Sequence, residues 1–164
     1  MKVSIVVVSV LLASAGAASA QMPHMGGDMK HVMVHRMMDD VMVMVDTMVP
    51  TPDLQNYGEM YMGNAAVLND TWYNAQYGWM KDGTWTPPTG AFVWIEQTSA
   101  TPGLMAYKGG RMNNMGSHTF EPIFGTDGSS PRIMWDGMML HNWYAVSAPG
   151  GTYEATYKVY FGDA

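Results

Sequence analysis

The 164-residue chain contains no cysteine. Disulfides and thiolate ligands are therefore closed to it, and any metal must be held by His, Met, Asp or Glu. Charge is also scarce: 13% of residues are charged, with 14 Asp and Glu against 8 Lys and Arg. The resulting net charge of −6 excludes a nucleic-acid partner, whose phosphates call for a basic face, and attracts cations weakly. Gly-x-Ser-x-Gly, a Walker loop, His-Glu-x-x-His and a dinucleotide fingerprint are all missing. Asp127-Gly-Ser-Ser lacks the alternating acids of a calcium loop. These absences point away from an enzyme.

Only one long apolar run is present, and it stands at the N-terminus. Lys2 precedes an apolar core from Ile5 to Leu12, and Ala18-Ser19-Ala20 supplies an Ala-x-Ala cleavage signal. That is the anatomy of a secretory signal peptide over residues 1–20. The run is short for a bilayer span, so cleavage before Gln21 is expected rather than an uncleaved anchor. The mature chain is then an exported, periplasmic or extracellular protein with no membrane span. Its length suits one domain with a core that needs no disulfide.

What is abundant is methionine, 19 residues, with 18 Gly, 9 Tyr and 6 Trp. Many glycines and aromatics with few charges suit a turn-rich β domain. Residues 21–30, with Pro23, Gly26 and Gly27, read as a flexible Met/His/Gly lead-in. From residue 31 the patterning is that of strands. His31 to Met37 and Val41 to Val45 alternate with period two, and Met38-Asp39-Asp40 between them is a plausible turn. Met22, Met25, Met29, Met33 and Met37 also recur at helical spacing, but Val32 and Val34 favour the strand. Further strands are expected at Ala65–Leu68, Ala91–Gln97, Leu104–Tyr107, His118–Phe124, Arg132–Trp135, His141–Ser147 and Thr152–Phe161, separated by Gly- and Pro-rich breakers. In the last, Tyr153, Ala155, Tyr157, Val159 and Phe161 share one face. Short strands at this spacing predict a single all-β sandwich over residues 31–164, jelly-roll or Ig-like.

One stretch carries chemistry. Nine methionines and three histidines fall between residues 22 and 48. Thioether sulfur is a soft neutral ligand suited to Cu(I), whereas Zn(II) prefers imidazole and carboxylate once thiolate is absent. On a strand, His31, Met33, His35 and Met37 point to one side. An even-numbered hairpin loop sets Met42, Met44, Asp46 and Met48 on that same side, leaving Val32, Val34, Val41, Val43 and Val45 for the core. An odd loop destroys the arrangement. His31, Met33, His35 and Met37 are thus candidate primary ligands, with Met42, Met44 and His24 auxiliary. The plainer reading is a Met/Val core strand with solvated histidines, since methionine most often fills space. Exposed methionines also scavenge oxidants through reversible sulfoxide formation.

A looser group, Met112-Asn-Asn-Met115-Gly-Ser-His118 with Met138-Met139-Leu-His141, would either join that site or consist of core and loop residues. Trp72-Tyr73, Tyr77-Gly-Trp79, Trp85, Trp94 and Trp143-Tyr144 suit either a core or an exposed stacking platform for carbohydrate or protein.

Several segments resemble a family of exported bacterial proteins associated with control by a zinc-uptake repressor, many with a C-terminal sorting tail. They are Leu68-Asn-Asp-Thr-Trp-Tyr-Asn74, Trp94-Ile-Glu-Gln-Thr98, Phe124-Gly-Thr-Asp-Gly128, Met139-Leu-His-Asn-Trp-Tyr144 and Tyr153-Glu-Ala-Thr-Tyr157. The resemblance covers about two-thirds of the mature chain and implies a role in metal homeostasis. The chain departs from it by ending at Phe161-Gly-Asp-Ala164 without an apolar tail. The resemblance points to zinc, the methionines to copper. The residues together favour an exported Cu(I)-binding β domain with zinc as second choice; the alternative is a surface interaction module working through aromatics. Expressed with its leader in a bacterial host, the exported protein should give an N-terminal sequence starting at Gln21. Recovery of Met1 on the exported chain would contradict the signal-peptide reading.

Overall fold

The computed structural model describes residues 21–111, 114–148 and 150–164. The expected signal peptide lies outside them. Ten strands follow in order: β1 (Lys30–Met37), β2 (Asp40–Val45), β3 (Trp72–Asn74), β4 (Tyr77–Lys81), β5 (Phe92–Ala100), β6 (Met105–Gly110), β7 (Pro122–Ile123), β8 (Arg132–Trp135), β9 (Leu140–Val146) and β10 (Ala155–Gly162). They form a seven-stranded sheet in the order β2-β1-β4-β9-β6-β7, with β3 also on β9, and a three-stranded sheet in the order β10-β5-β8. The β1–β4 pair is parallel and the other pairs antiparallel. No described helix is long and apolar enough to cross a membrane.

The two sheets pack face to face as an all-β sandwich. Val34, Trp79, Ala106, Ile123 and Tyr144 from the larger sheet meet Val93, Ile95 and Trp135 from the smaller one. Tyr157, Val159 and Phe161 of β10 pack against this core, as the alternation of the last strand predicts. A second core lies on the far face of the larger sheet, where Tyr73, Tyr107, Trp143 and Ala145 are covered by Tyr61, Leu68 and Phe120. Strand β9 is thus buried on both sides, which explains why six consecutive residues, His141 to Val146, are buried.

Two expected strands take other forms. Residues 65–68 belong to a 3-10 turn, Gly63–Leu68, which drives Leu68 into the second core. Of His118–Phe124 only Pro122–Ile123 is strand, although Lys108 also bonds the backbones of Phe120 and Glu121; Phe120 and Phe124 hold left-handed backbone angles (φ 57° and 55°) that break the extended run. Strands β3 and β4 add pairings that alternation alone did not mark. The lead-in before β1 has no strand or helix from Gln21 to Met29. It is nevertheless attached to the domain: Pro23 is buried, Met25 packs on the second core, and the His24 amide donates to the Tyr73 hydroxyl at 3.1 Å.

The β1–β2 hairpin closes through a two-residue loop, Met38-Asp39, because Met37 pairs with Asp40. Met38 sits there with φ 56°, a conformation that strains a residue bearing a Cβ by about 1 kcal/mol and that glycine adopts freely. Its side chain is 84% exposed, so little packing is at stake. Met38→Gly should therefore raise stability by roughly 0.5–1 kcal/mol in urea unfolding. A loss of 1 kcal/mol would show that the loop is not strained at this residue.

Candidate metal-binding face

Because the hairpin loop has an even number of residues, cross-strand partners share faces in the arrangement needed for a site. Met33 pairs with Met44 and His35 with Met42, while Val34 pairs with Val43 and Val32 with Val45. Asp46 donates its amide to the carbonyl of His31 at 3.0 Å, extending the ladder by one step. On its other side β1 pairs with β4, setting Met33 beside Met80 and His31 beside Gly78. Directly opposed residues have Cβ atoms about 5 Å apart, and neighbouring strands run about 4.8 Å apart. Met44, Met33 and Met80 consequently form a lateral row across three strands. His35 and Met42 lie on one side of this row and His31 on the other.

The row lies on the face turned away from the smaller sheet, since Val32, Val34 and Val41 take the side of the main core. Toward the middle of the sheet that face is covered by the second core; toward the β2 edge it opens to solvent. Met37, Met42 and Met44 are exposed, Met44 at 49%, while His31, Met33 and Met80 are half-buried and His35 is exposed. The sulfurs are neither sealed in a dry interior nor scattered. Each thioether has three rotatable bonds beyond Cα, which gives the side chains of the row latitude to reach toward one another. The acids nearby are few. His35 Nδ1 stands 3.8 Å from an Asp82 carboxylate oxygen, and among the described residues no three His, Asp or Glu side chains converge. The donor set is therefore dominated by sulfur.

His24 is placed elsewhere. Its Nε2 lies 2.9 Å from a Glu59 oxygen and its ring stacks on Tyr57 at 4.1 Å. The same carboxylate accepts from the Tyr61 hydroxyl at 2.9 Å, and that hydroxyl meets the Tyr73 hydroxyl at 2.5 Å. Hydrogen bonding to His24 holds the Glu59 carboxyl below its ordinary range. Burial, together with bonds to Tyr73 and Glu59, pushes the Tyr61 hydroxyl far above its ordinary value. This network binds the lead-in to β3, and His24 contacts none of the hairpin ligands through it. Met48, at 90% exposed, lies beyond the end of β2.

The second methionine group separates into unlike parts. Met112 lies outside the described residues, and Met115 packs against the second core. His118 is buried and fully engaged: Nδ1 accepts from the Trp143 indole at 3.0 Å, and Nε2 donates to the Arg111 carbonyl at 3.1 Å. His141 is different. It is 0% exposed, its Nδ1 donates to the Ala75 carbonyl at 3.2 Å, and its Nε2 has no hydrogen-bond partner among the described residues. Its ring meets that of His31 edge-on with centroids 5.6 Å apart. Met80 and His141 thus join the face, although the pattern of residues 22–48 does not reach them.

The aromatic residues are mostly used inside the protein. Trp79, Trp135 and Trp143 are buried, and Trp72, Trp85 and Trp94 are half-buried. The Trp85 indole donates to Val34 and Asp82 carbonyls, and Trp94 lies under the Arg132 guanidinium at 4.2 Å. Among the described residues the exposed large apolar side chains are methionines, three valines and Phe92, with no Trp or Tyr. Comparison with known protein families, curated proteins and solved structures finds no match.

Burial lowers the pKa of His118, partly offset by its bond to Arg111, and it lowers that of His141 in the same direction. The native state therefore refuses protons that the unfolded chain accepts near pH 6.5. Stability from this source is whole above that pH and is lost as pH falls below it, by at most about 1.4 kcal/mol per pH unit for each group. Urea unfolding at pH 7.5, 6.5 and 5.5 should show this decline, and His118→Gln should make it shallower while the contribution of His141 remains. A parent whose stability rises as pH falls from 6.5 to 5.5 would contradict the assignment.

Proposed function

We propose that this is an exported, non-enzymatic protein that binds or buffers a soft transition metal, Cu(I) ahead of Zn(II), on the methionine–histidine face of β2, β1 and β4. The observation that supports this most strongly is the register: Met44, Met33 and Met80 lie side by side on three adjacent strands, between His35 with Met42 and His31. A neutral, polarisable donor set in a chain without thiolate selects a soft monovalent ion, and the imidazoles supply borderline donors that zinc also accepts. The position of the row supports the reading as well. Its outer members are open to solvent while its inner members are half-buried, so an ion can enter and still lose part of its hydration. A role in metal homeostasis agrees with the resemblance drawn from the sequence.

Anaerobic titration with Cu(I) against a competing chelator should reveal binding by the parent. Replacing Met33, Met44 and Met80 together by Leu, which keeps apolar volume, should weaken it by at least about tenfold, the loss expected when one or more ligand contacts worth about 1.4 kcal/mol disappear. His31→Ala with His35→Ala should weaken it likewise. Bound Ag(I), a soft monovalent ion that peroxide does not oxidise, should protect Met33 and Met44 from peroxide while Met48, Met60 and Met62 oxidise at their metal-free rates, since sulfoxide formation follows exposure of free sulfur. A parent that binds no Cu(I) ends the proposal, and unchanged affinity in both multiple variants moves the site off this face.

A further inference from the structure

Among the described residues, the buried lone pair of the His141 imidazole meets no donor. The Ala75 carbonyl can only accept, so it fixes the proton on Nδ1 and leaves Nε2 as the acceptor. Among the described residues five buried side-chain polar atoms have no hydrogen-bond partner, Asn74 Oδ1, Thr119 Oγ1, Ser129 Oγ, Asn142 Nδ2 and His141 Nε2, and of these the imidazole nitrogen is the one suited to a soft metal. His141 is flanked in register by Gly78 on β4 and Gly110 on β6. A Cβ on Gly78 would stand 2.5 Å from the ring's Cε1 and 2.7 Å from Nε2. The missing side chain is thus the space in which the ring lies, over β4 and toward β1, where His31 is the residue paired with Gly78.

We infer that His31 and His141 form a two-imidazole seat for Cu(I), completed by the thioether of Met33 or Met80, and that this is the primary site on the face. The inference rests on the soft-metal reading above. Donation of the second ring nitrogen to a backbone carbonyl is the usual arrangement of a metal-ligating histidine, because it sets the tautomer and ring orientation. The spacing agrees as well. With metal–nitrogen bonds of about 2.0–2.1 Å and ring centres about 1.1 Å further out, two imidazoles on one ion have centroids about 5.2 Å apart at a tetrahedral angle and about 6.4 Å apart when linear. The observed 5.6 Å lies between these limits. Met33 follows His31 by two residues on β1, and Met80 follows Gly78 by two on β4 and pairs with Met33. Both belong to the next row of the same face. Met42 and Met44, further toward the edge, are then secondary contacts.

The test is long-range nitrogen–proton NMR of the histidine rings during anaerobic titration of the labelled protein with Cu(I), alongside chelator competition on variants. Metal-free protein should show His141 as the Nδ1-protonated tautomer. One equivalent of Cu(I) should move the His141 and His31 ring nitrogens together and leave those of His118 in place. His31→Gln and His141→Gln should each weaken binding by about 100-fold, and Gly78→Ala, which fills the ring's space, by at least about tenfold, within the range that ligand and orienting groups command. Met42→Leu with Met44→Leu should cost less than about tenfold. If the parent binds Cu(I) while the His141 nitrogens stay unmoved, the two-imidazole seat is wrong even where His141→Gln weakens binding, and the methionine face alone remains. If the parent binds no Cu(I), both readings fall. Should His141→Gln not fold, the ring signals of the parent still decide.

Discussion

Side chains on a strand change face with every residue, so the length of one short loop governs what the edge of this protein can do. Met38-Asp39 closes the β1–β2 hairpin with two residues, and Met37 therefore meets Asp40. One residue more or less in that loop would set valines against methionines throughout the hairpin and mix the two faces. With the observed register, Val32, Val34 and Val41 anchor the hairpin to the sandwich core, and Met33, His35, Met42 and Met44 are collected on the opposite side. The anchoring and the clustering are two results of one alternation. A residue in a left-handed conformation at Met38 is accepted because that loop length is what the core side requires.

The same face continues inward under different physical conditions. At the β2 edge Met37, Met42 and Met44 are exposed. At β9 it is roofed by Tyr61, Leu68 and Phe120, and the polar group placed there, His141, is sealed from solvent. Gly78 joins the two regimes. Its bare backbone lets an imidazole from β9 lie across β4 and approach His31 on β1. Buried polar atoms are normally satisfied, as His118 shows with partners on both nitrogens. Among the described residues the Nε2 of His141 has no such partner.

Much of this was legible in the residues, and the remainder failed for physical reasons. Alternation located β1, β2, β5, β8, β9 and β10 to within a few residues, and the condition placed on loop parity was met. The 3-10 turn at Gly63–Leu68 resembles a strand in sequence because Ala-Ala-Val-Leu is apolar without being periodic, and composition alone does not separate those forms. Strands β3 and β4 leave little mark in the sequence because each is short and because Gly78 reads as a breaker. Its role becomes visible only when the ring that fills its place is known. Met80 enters the face through a parallel pairing of β1 with β4, a long-range choice that no local pattern announces, and His141, which the sequence leaves open between this site and the core, reaches it because β9 pairs with β4. His24, grouped with the hairpin by composition, is held instead by Glu59 and Tyr57.

In the proposed site, thioether and imidazole donors of this face share one soft ion. X-ray absorption at the copper edge of protein loaded with one equivalent of Cu(I) addresses it most directly, because sulfur and nitrogen scatter distinguishably. The account predicts a mixed shell, with at least one sulfur beside imidazole nitrogens and the rings giving their outer-shell pattern. A shell of light atoms alone, without sulfur, would contradict it.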